Sequence, residues 1–463
     1  MVRTTLPDCP IQKLPSPPRF RSLIGPSVIL LGLGLGSGEI ILWPYLSANF
    51  GLGIIWAAVL GLAIQFFLNM EVERYALVRG ESVFVGLARL WRGLSYWFIV
   101  STFIGFGWPG IVASSAKILS PLLNINQFAY LAVGLLVLIG IILTLGPVLY
   151  RTVELYQKLA IGIGIPVILF IVFKTANLTD WQALGAGLVG YGDLYHWLPA
   201  GIPLFTFLGA LAYAGAGGNL NLAQSLYVKE KGYGMGKYGG HITSVLTGKE
   251  EKLPLVGATF APNAHNLRTY RQWWRVINLE HGLVFWGLGT LTICLLSLLA
   301  YATAYGIADN SSGISFIINE AAVIGGSLRP LFLLVTGLML FGTQLTVLDS
   351  TSRIITENIA VASFGRTSIF KHPSRIYYSV LWLQILFGCM VLLFGFSEPQ
   401  TLIVVGSVIN AVAMFVSFPL VLWLNTRLLP VATRPNTIRK VINVGSFVFF
   451  GYFVLVALKN VLT

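Results

Sequence analysis

The sequence predicts an all-α polytopic membrane protein of about eleven spans, and three observations carry the prediction. Charged residues make up only 10% of the 463 positions while 56% are apolar. Runs of roughly 20 apolar residues, the length that crosses a bilayer core, recur along almost the whole chain. Two of these runs carry glycine-rich interruptions at corresponding places in two halves, the pattern of inverted repeats built around a midplane site.

The first five spans start near Pro26, Gly53, Ser95, Gln127 and Thr152. The next five start near Pro203, His281, Pro330, Arg375 and Thr401, and an eleventh near Val441. This order divides the chain into a cytoplasmic tail (1–22), a first five-helix repeat (23–180), a second (181–430) that includes a cytoplasmic loop (228–280), and an additional helix (431–463). The tail carries Arg3, Lys13, Arg19 and Arg21 among prolines, and the first apolar run lacks a small-residue cleavage site, so it reads as a tail rather than a signal peptide. The three cysteines, Cys9, Cys294 and Cys389, are far apart and imply neither a disulfide framework nor zinc.

The net charge of +13 is spread over loops. With the N-terminus inside, all basic residues but Lys117, Lys174, Arg329 and Lys459 fall on the cytoplasmic side, and eleven spans then place the C-terminus outside; a plasma (inner) membrane is the expected location. Scattered cations of this kind contact lipid headgroups, and a nucleic-acid partner is excluded because no basic, aromatic-bearing groove gathers them. Oligomeric state is not encoded in any feature of this kind.

In the first span, Gly34-Leu35-Gly36-Ser37-Gly38-Glu39 reads as an unwound stretch ending in a carboxylate. Gly36 lies roughly 15 Å into the span, about halfway through the core. Backbone freed at that depth survives only where it lines a cavity or ligand, and an ionisable group there marks function. The plainer reading is close packing, because Gly32 with Gly36 and Gly34 with Gly38 have small-xxx-small spacing. In the sixth span Gly215-Ala216-Gly217-Gly218-Asn219-Leu220-Asn221 forms the second interruption. Gly36, Ser37, Gly38, Glu39, Ala216, Gly217 and Asn219 are therefore the expected substrate-binding residues. Glu39 and Asn219 are the candidate metal ligands. Glu39 and Asp349 are the candidates for coupling or gating, with an i,i+4 pair to Arg353 as the simpler account of Asp349.

These residues carry a resemblance. Pro26 through Gly80 resembles the first two helices of the Nramp family of proton-coupled divalent-metal transporters, whose Asp-Pro-Gly-Asn falls on Gly36-Ser37-Gly38-Glu39. Arg74 and Gly80 fall in register, and Arg151-Thr152-Val153-Glu154, Trp181, Asn219-Leu220-Asn221-Leu222, Pro419 and Asn425-Thr426-Arg427 extend the likeness. The resemblance implies the LeuT-type fold of five plus five inverted helices with one additional helix. It also implies a secondary transporter that moves a cation by alternating access, in symport with protons. Family members ligate metal with an aspartate, an asparagine and a methionine, at positions held here by Gly36, Glu39 and Ala216. The family's sixth-helix histidine falls near Gly218, and its third-helix acids on Phe106-Gly107-Trp108-Pro109. The transition-metal set is thus missing, and Glu39 with Asn219 and carbonyls is left as an oxygen site for magnesium, calcium or manganese. An organic solute, or a sensor or scaffold without transport, stays open beside the cation.

The five histidines, at 196, 241, 265, 281 and 372, are expected in loops or at span ends. Gly234-Met235-Gly236-Lys237-Tyr238-Gly239 matches a dinucleotide-binding string but has no strand before it, so glycine turns or a gating loop are expected there. Trp273 and Trp274 are expected as interfacial anchors. With no HExxH motif, intramembrane histidine or midplane acid pair, neither an enzyme nor a cofactor is expected.

Overall fold

The computed structural model describes residues 6–146, 148–240, 255–307, 310, 313–364 and 373–462. Among them, ten helical segments are long and apolar enough to cross a membrane. They are α1 (Pro26–Phe50), α2 (Leu52–Arg79), α3 (Leu94–Leu123), α4 (Phe128–Leu145), α5 (Leu149–Thr175), α7 (Ala264–Ala304), α8 (Leu328–Ala362), α9 (Pro373–Leu393), α10 (Pro399–Leu428) and α11 (Thr437–Val456). The sixth of the expected eleven spans is split into α6a (Leu204–Ala212) and α6b (Leu220–Lys231). Neither half alone reaches across a bilayer core.

The packing repeats itself under an exchange of each segment with the one five places on. α1 lies along α7 as α6b lies along α2, and α5 packs on α8 as α10 packs on α3. α3 meets α4 as α8 meets α9, while the self-paired contacts α3 with α8 and α4 with α9 close the pattern. A short helix joins each equivalent pair, Val83–Leu90 between α2 and α3 and Ser315–Ile324 between α7 and α8. This is the all-α inverted-repeat architecture that the sequence predicts, with α11 packed on α10 outside it.

Local chemistry sets the ends. α2 stops at Gly80, whose left-handed φ of 58° lets its amide bond Ala76 O, and Ser82 then caps Val83–Leu90 by accepting from the Val85 amide at 3.3 Å. The N-terminal tail crosses the face bearing most of the cations, here termed the basic face. It does so as a strap: Ile11 bridges Thr259, Arg89 donates to Pro7 O at 2.8 Å, and Trp273 donates to Pro15 O at 2.7 Å.

Several expectations change. α1 is not unwound: Leu35–Leu42 continues the helix as a π-helical stretch, with the Trp43 amide bonded five residues back to Gly38 O. Its glycines serve close approach instead of backbone freedom, since a Cβ on Gly36 would lie 2.6 Å from the Thr343 side chain of α8 and one on Gly34 would lie 3.0 Å from Gly215. α7 starts at Ala264, well before His281, so His281 is a fully buried residue within a long helix and not a span end. Trp273 is buried at 2% exposure, and Trp274 lies under the guanidiniums of Arg74 and Arg439, at 3.9 and 4.8 Å, so these are internal packing groups rather than lipid anchors. Gly234–Tyr238 is a short 3-10 turn seated against Leu77 of α2. His241 and His372 lie outside the described residues.

Candidate functional site

The interruption of α6 is real and is held open from outside. Residues 213–219 are non-helical, with Gly217 and Gly218 at φ of 76° and 48°, values that an L side chain rarely adopts. Breaking a helix frees its terminal carbonyls and amides. Gln65 of α2 answers both ends: its Nε2 donates to Ala212 O at 3.0 Å, and its Oε1 accepts from the Gly217 amide at 3.1 Å. Ala216 and Gly217 lie within this brace, both buried.

A second interruption, unforeseen from sequence, faces it. α3 leaves its helix at Gly107–Pro109, between Leu94–Phe106 and Gly110–Leu123. Here Pro109 supplies no amide to continue the ladder. Between the two breaks lies a buried, uncharged polar group. Asn219 donates to Ser101 Oγ at 2.8 Å and to Thr102 Oγ1 at 2.9 Å, both on α3. Asn410 of α10 donates to Gly105 O, Gly406 O and the Tyr213 hydroxyl, each at 2.9 Å. With both amide nitrogens spent, the carbonyl oxygens Asn219 Oδ1 and Asn410 Oδ1 are buried without a partner. They are neighbours along the break, because Asn410 Oδ1 lies against Gly218, the residue before Asn219. Two such acceptors in a buried site call for a hydrogen-bond donor or a cation.

Glu39 lies elsewhere. Because α1 stays helical, Gly34 and Gly38 meet the break, against Gly215 and the Tyr213 carbonyl, and Glu39, the next residue round the helix, is turned toward Thr292 and Cys294 of α7. The Thr292 hydroxyl donates to Leu288 O at 2.7 Å, and both Glu39 oxygens are buried without a hydrogen-bond partner. Asn219 bonds α3 while Glu39 faces α7, so the structure does not bring together the two candidate metal ligands. Among the described residues no group of three or more histidines, cysteines, aspartates or glutamates has the arrangement of a metal site. Ser37 is buried in the π-helical stretch beside Gly36.

Asp349 is fully engaged. Arg353 Nε reaches its two oxygens at 2.9 and 2.8 Å, and the hydroxyls of Tyr377 and Tyr227 donate to it at 2.7 and 3.0 Å. Arg353 also bonds Glu230, so one buried network ties α6b, α8 and α9. The i,i+4 pairing is the observed state. On the same face Lys231 joins Glu154 at 2.7 Å, Lys229 lies 3.8 Å from Glu357, and Arg439 lies 3.3 Å from Glu71. These pairs tie α6b to α5 and α8, and α11 to α2.

Sequence reading missed Asn410, Ser101, Thr102 and Gln65, which are isolated polar residues in otherwise apolar spans. Their one signal is that cost: an amide in a membrane helix needs a partner.

No protein-family model and no curated protein matches the chain. Solved structures do. A variant of the manganese transporter of Eremococcus coleocola superposes with a TM-score of 0.70 at 12% identity, over 98% of this chain and 91% of that one. The same transporter in complex with an aromatic bis-isothiourea substituted compound gives 0.67 at 13% identity, again over 98% and 91%. Mhp1, a nucleobase-cation-symport-1 family transporter in a closed conformation with bromovinylhydantoin bound, gives 0.53 at 12% identity, over 96% and 95%. At such identities the likeness speaks to architecture, and the architecture of this chain is the LeuT-type fold.

Proposed function

We propose that the chain is a secondary transporter whose substrate binds at the α6 break, between α3 and α10, and crosses by alternating access. One observation carries this reading: Asn219 in the break and Asn410 beside it each have a buried carbonyl oxygen without a partner, the latter against Gly218. The solved structures of similar fold are transporters, and we take the chain not to be an enzyme. An uncharged oxygen set fits a cation, and the resemblance to the Nramp family and the likeness to a manganese transporter favour that class. A soft transition metal fits less well, because Ala216 stands where a thioether would be needed. Magnesium, calcium and manganese are the ions to test, although a divalent ion held without a nearby acid pair binds weakly. In this reading Glu39 is the coupling group, and its protonation or ion contact with α7 changes during the cycle. The basic face is cytoplasmic, and 23–180 and 181–430 are the two repeats. The likeness to a transporter holding bromovinylhydantoin supports a second reading, in which the same two amides bind the donor edge of an organic solute.

Purified chain in proteoliposomes separates these readings. Uptake of magnesium, calcium or manganese is expected, and Glu39→Gln is expected to leave the protein folded while abolishing the dependence of uptake on a proton gradient. Metal uptake that keeps its proton dependence in Glu39→Gln would remove Glu39 from the account. Absence of ion uptake together with binding of an amine or a nucleobase analogue would select the solute reading.

A further inference from the structure

A second polar cluster is buried where α1, α2, α6b and α7 meet, and the substrate site does not use it. Glu73 of α2 and Glu280 and His281 of α7 are each fully inaccessible. Ser27, at the start of α1, donates to Glu280 Oε2 at 2.5 Å and lies 2.7 Å from His281 Nδ1. Glu280 also lies beside the backbone of Gly25, which sets a carboxyl group at the amino end of α1. His281 Nδ1 is 3.6 Å from Glu73 Oε1, which in turn accepts from Gln224 of α6b. The imidazole is stacked between Phe66 and Phe285, with centroids 5.6 and 4.7 Å away, which fixes its plane.

The proton count of this cluster is legible. A hydroxyl has one proton; Ser27 gives it to Glu280 and therefore accepts from His281 Nδ1–H. That tautomer leaves His281 Nε2 as an acceptor, and it is unpartnered, as are Glu73 Oε2 and Glu280 Oε1. Two carboxyl groups and one imidazole are electrically neutral together only when two protons are bound besides that on Nδ1, either one on each acid or one on Nε2 and one on an acid. Loss of a proton leaves net negative charge in a buried site, where it is costly. The charged and titratable groups around it are Tyr150, Glu154 and Lys158 on α5, Glu230 and Lys231 on α6b, and Tyr233 after it. Lys158 and Lys231 both bind Glu154 at 2.7 Å, so their charge is largely answered there.

We propose that Glu73, Glu280 and His281 form a proton-binding site that latches the amino end of α1 onto α7 and holds α2 to α6b. With Glu73 protonated, the site keeps Ser27 and Gly25 on Glu280. Deprotonation of Glu73 sets its charge against that of Glu280 and releases the end of α1. The inference does not depend on which substrate the transporter carries.

The test uses the full chain in lipid nanodiscs, with infrared difference spectra taken across a pH titration. Amide hydrogen exchange is read at the same pH values and corrected for the intrinsic rate. As pH rises, the expected result is loss of a protonated-carboxyl carbonyl band together with loss of protection at the start of α1. Glu73→Gln is expected to remove both changes, and His281→Gln to shift their midpoint. Glu320→Gln, which removes a buried carboxyl group on the short helix between α7 and α8, serves as the control, expected to leave the protection at the start of α1 and its pH dependence as in the unsubstituted chain. Protection of α1 that is independent of pH in the unsubstituted chain, or a band and exchange profile unchanged in both Glu73→Gln and His281→Gln, would overturn the proposal. The unsubstituted chain decides the matter even if a variant fails to fold.

Discussion

Replacing Arg353 with alanine is expected to destabilise the folded chain by about 3–5 kcal/mol, the cost of removing one partner from a buried ionic network. The guanidinium is 1% exposed, bonds both oxygens of Asp349 and also reaches Glu230. Without it two acids from α6b and α8 are buried side by side, and the hydroxyls of Tyr227 and Tyr377 are too few to offset two charges. Thermal unfolding in detergent measures the loss. Glu230→Gln in the Arg353→Ala background is expected to return part of it by removing one of the stranded acids. A midpoint within a degree of the unsubstituted protein would mean that the network adds little.

The second large effect is steric. Gly38 is the central residue of the 25-residue α1, and a methyl group there would run into the backbone carbonyl of Tyr213 at the edge of the α6 break. A carbonyl fixed in a braced turn cannot rotate aside as a flexible side chain would. Gly38→Ala is therefore expected to cost at least about 1–3 kcal/mol and to push α1 away from the break. Gly162→Ala in α5 is the matched control, because a Cβ there meets nothing within 4 Å. The control is expected to be neutral or to stabilise by about 0.5–1 kcal/mol, the gain of removing a helix glycine. Equal effects of the two substitutions would refute the close approach of α1 to the break.

Much of the architecture is legible in the sequence because the bilayer allows few solutions. Span lengths, the splitting of α6 at paired glycines and the i,i+4 pair of Asp349 with Arg353 all follow from local rules. What local rules do not reveal is which partner a polar residue meets. Gln65 bridges the ends of α6 from another helix, and Asn410 reaches Gly105 and Tyr213 across the bundle. The first glycine run misled for the same reason. Glycine permits both an unwound turn and a close helix contact, and only the neighbours, Thr343 and Gly215, show that contact is its use here. His281 was misplaced because α7 runs through a polar stretch, Ala264–His281, that hydropathy reads as loop.

The central claim is that the amides at the α6 break hold the transported species. The most direct measurement compares uptake into proteoliposomes by the unsubstituted chain with uptake by Asn219→Leu, which keeps the side-chain volume and removes the unpartnered oxygen, at matched thermal stability. Loss of uptake from a folded Asn219→Leu protein is the predicted result, and uptake at the unsubstituted rate would contradict it.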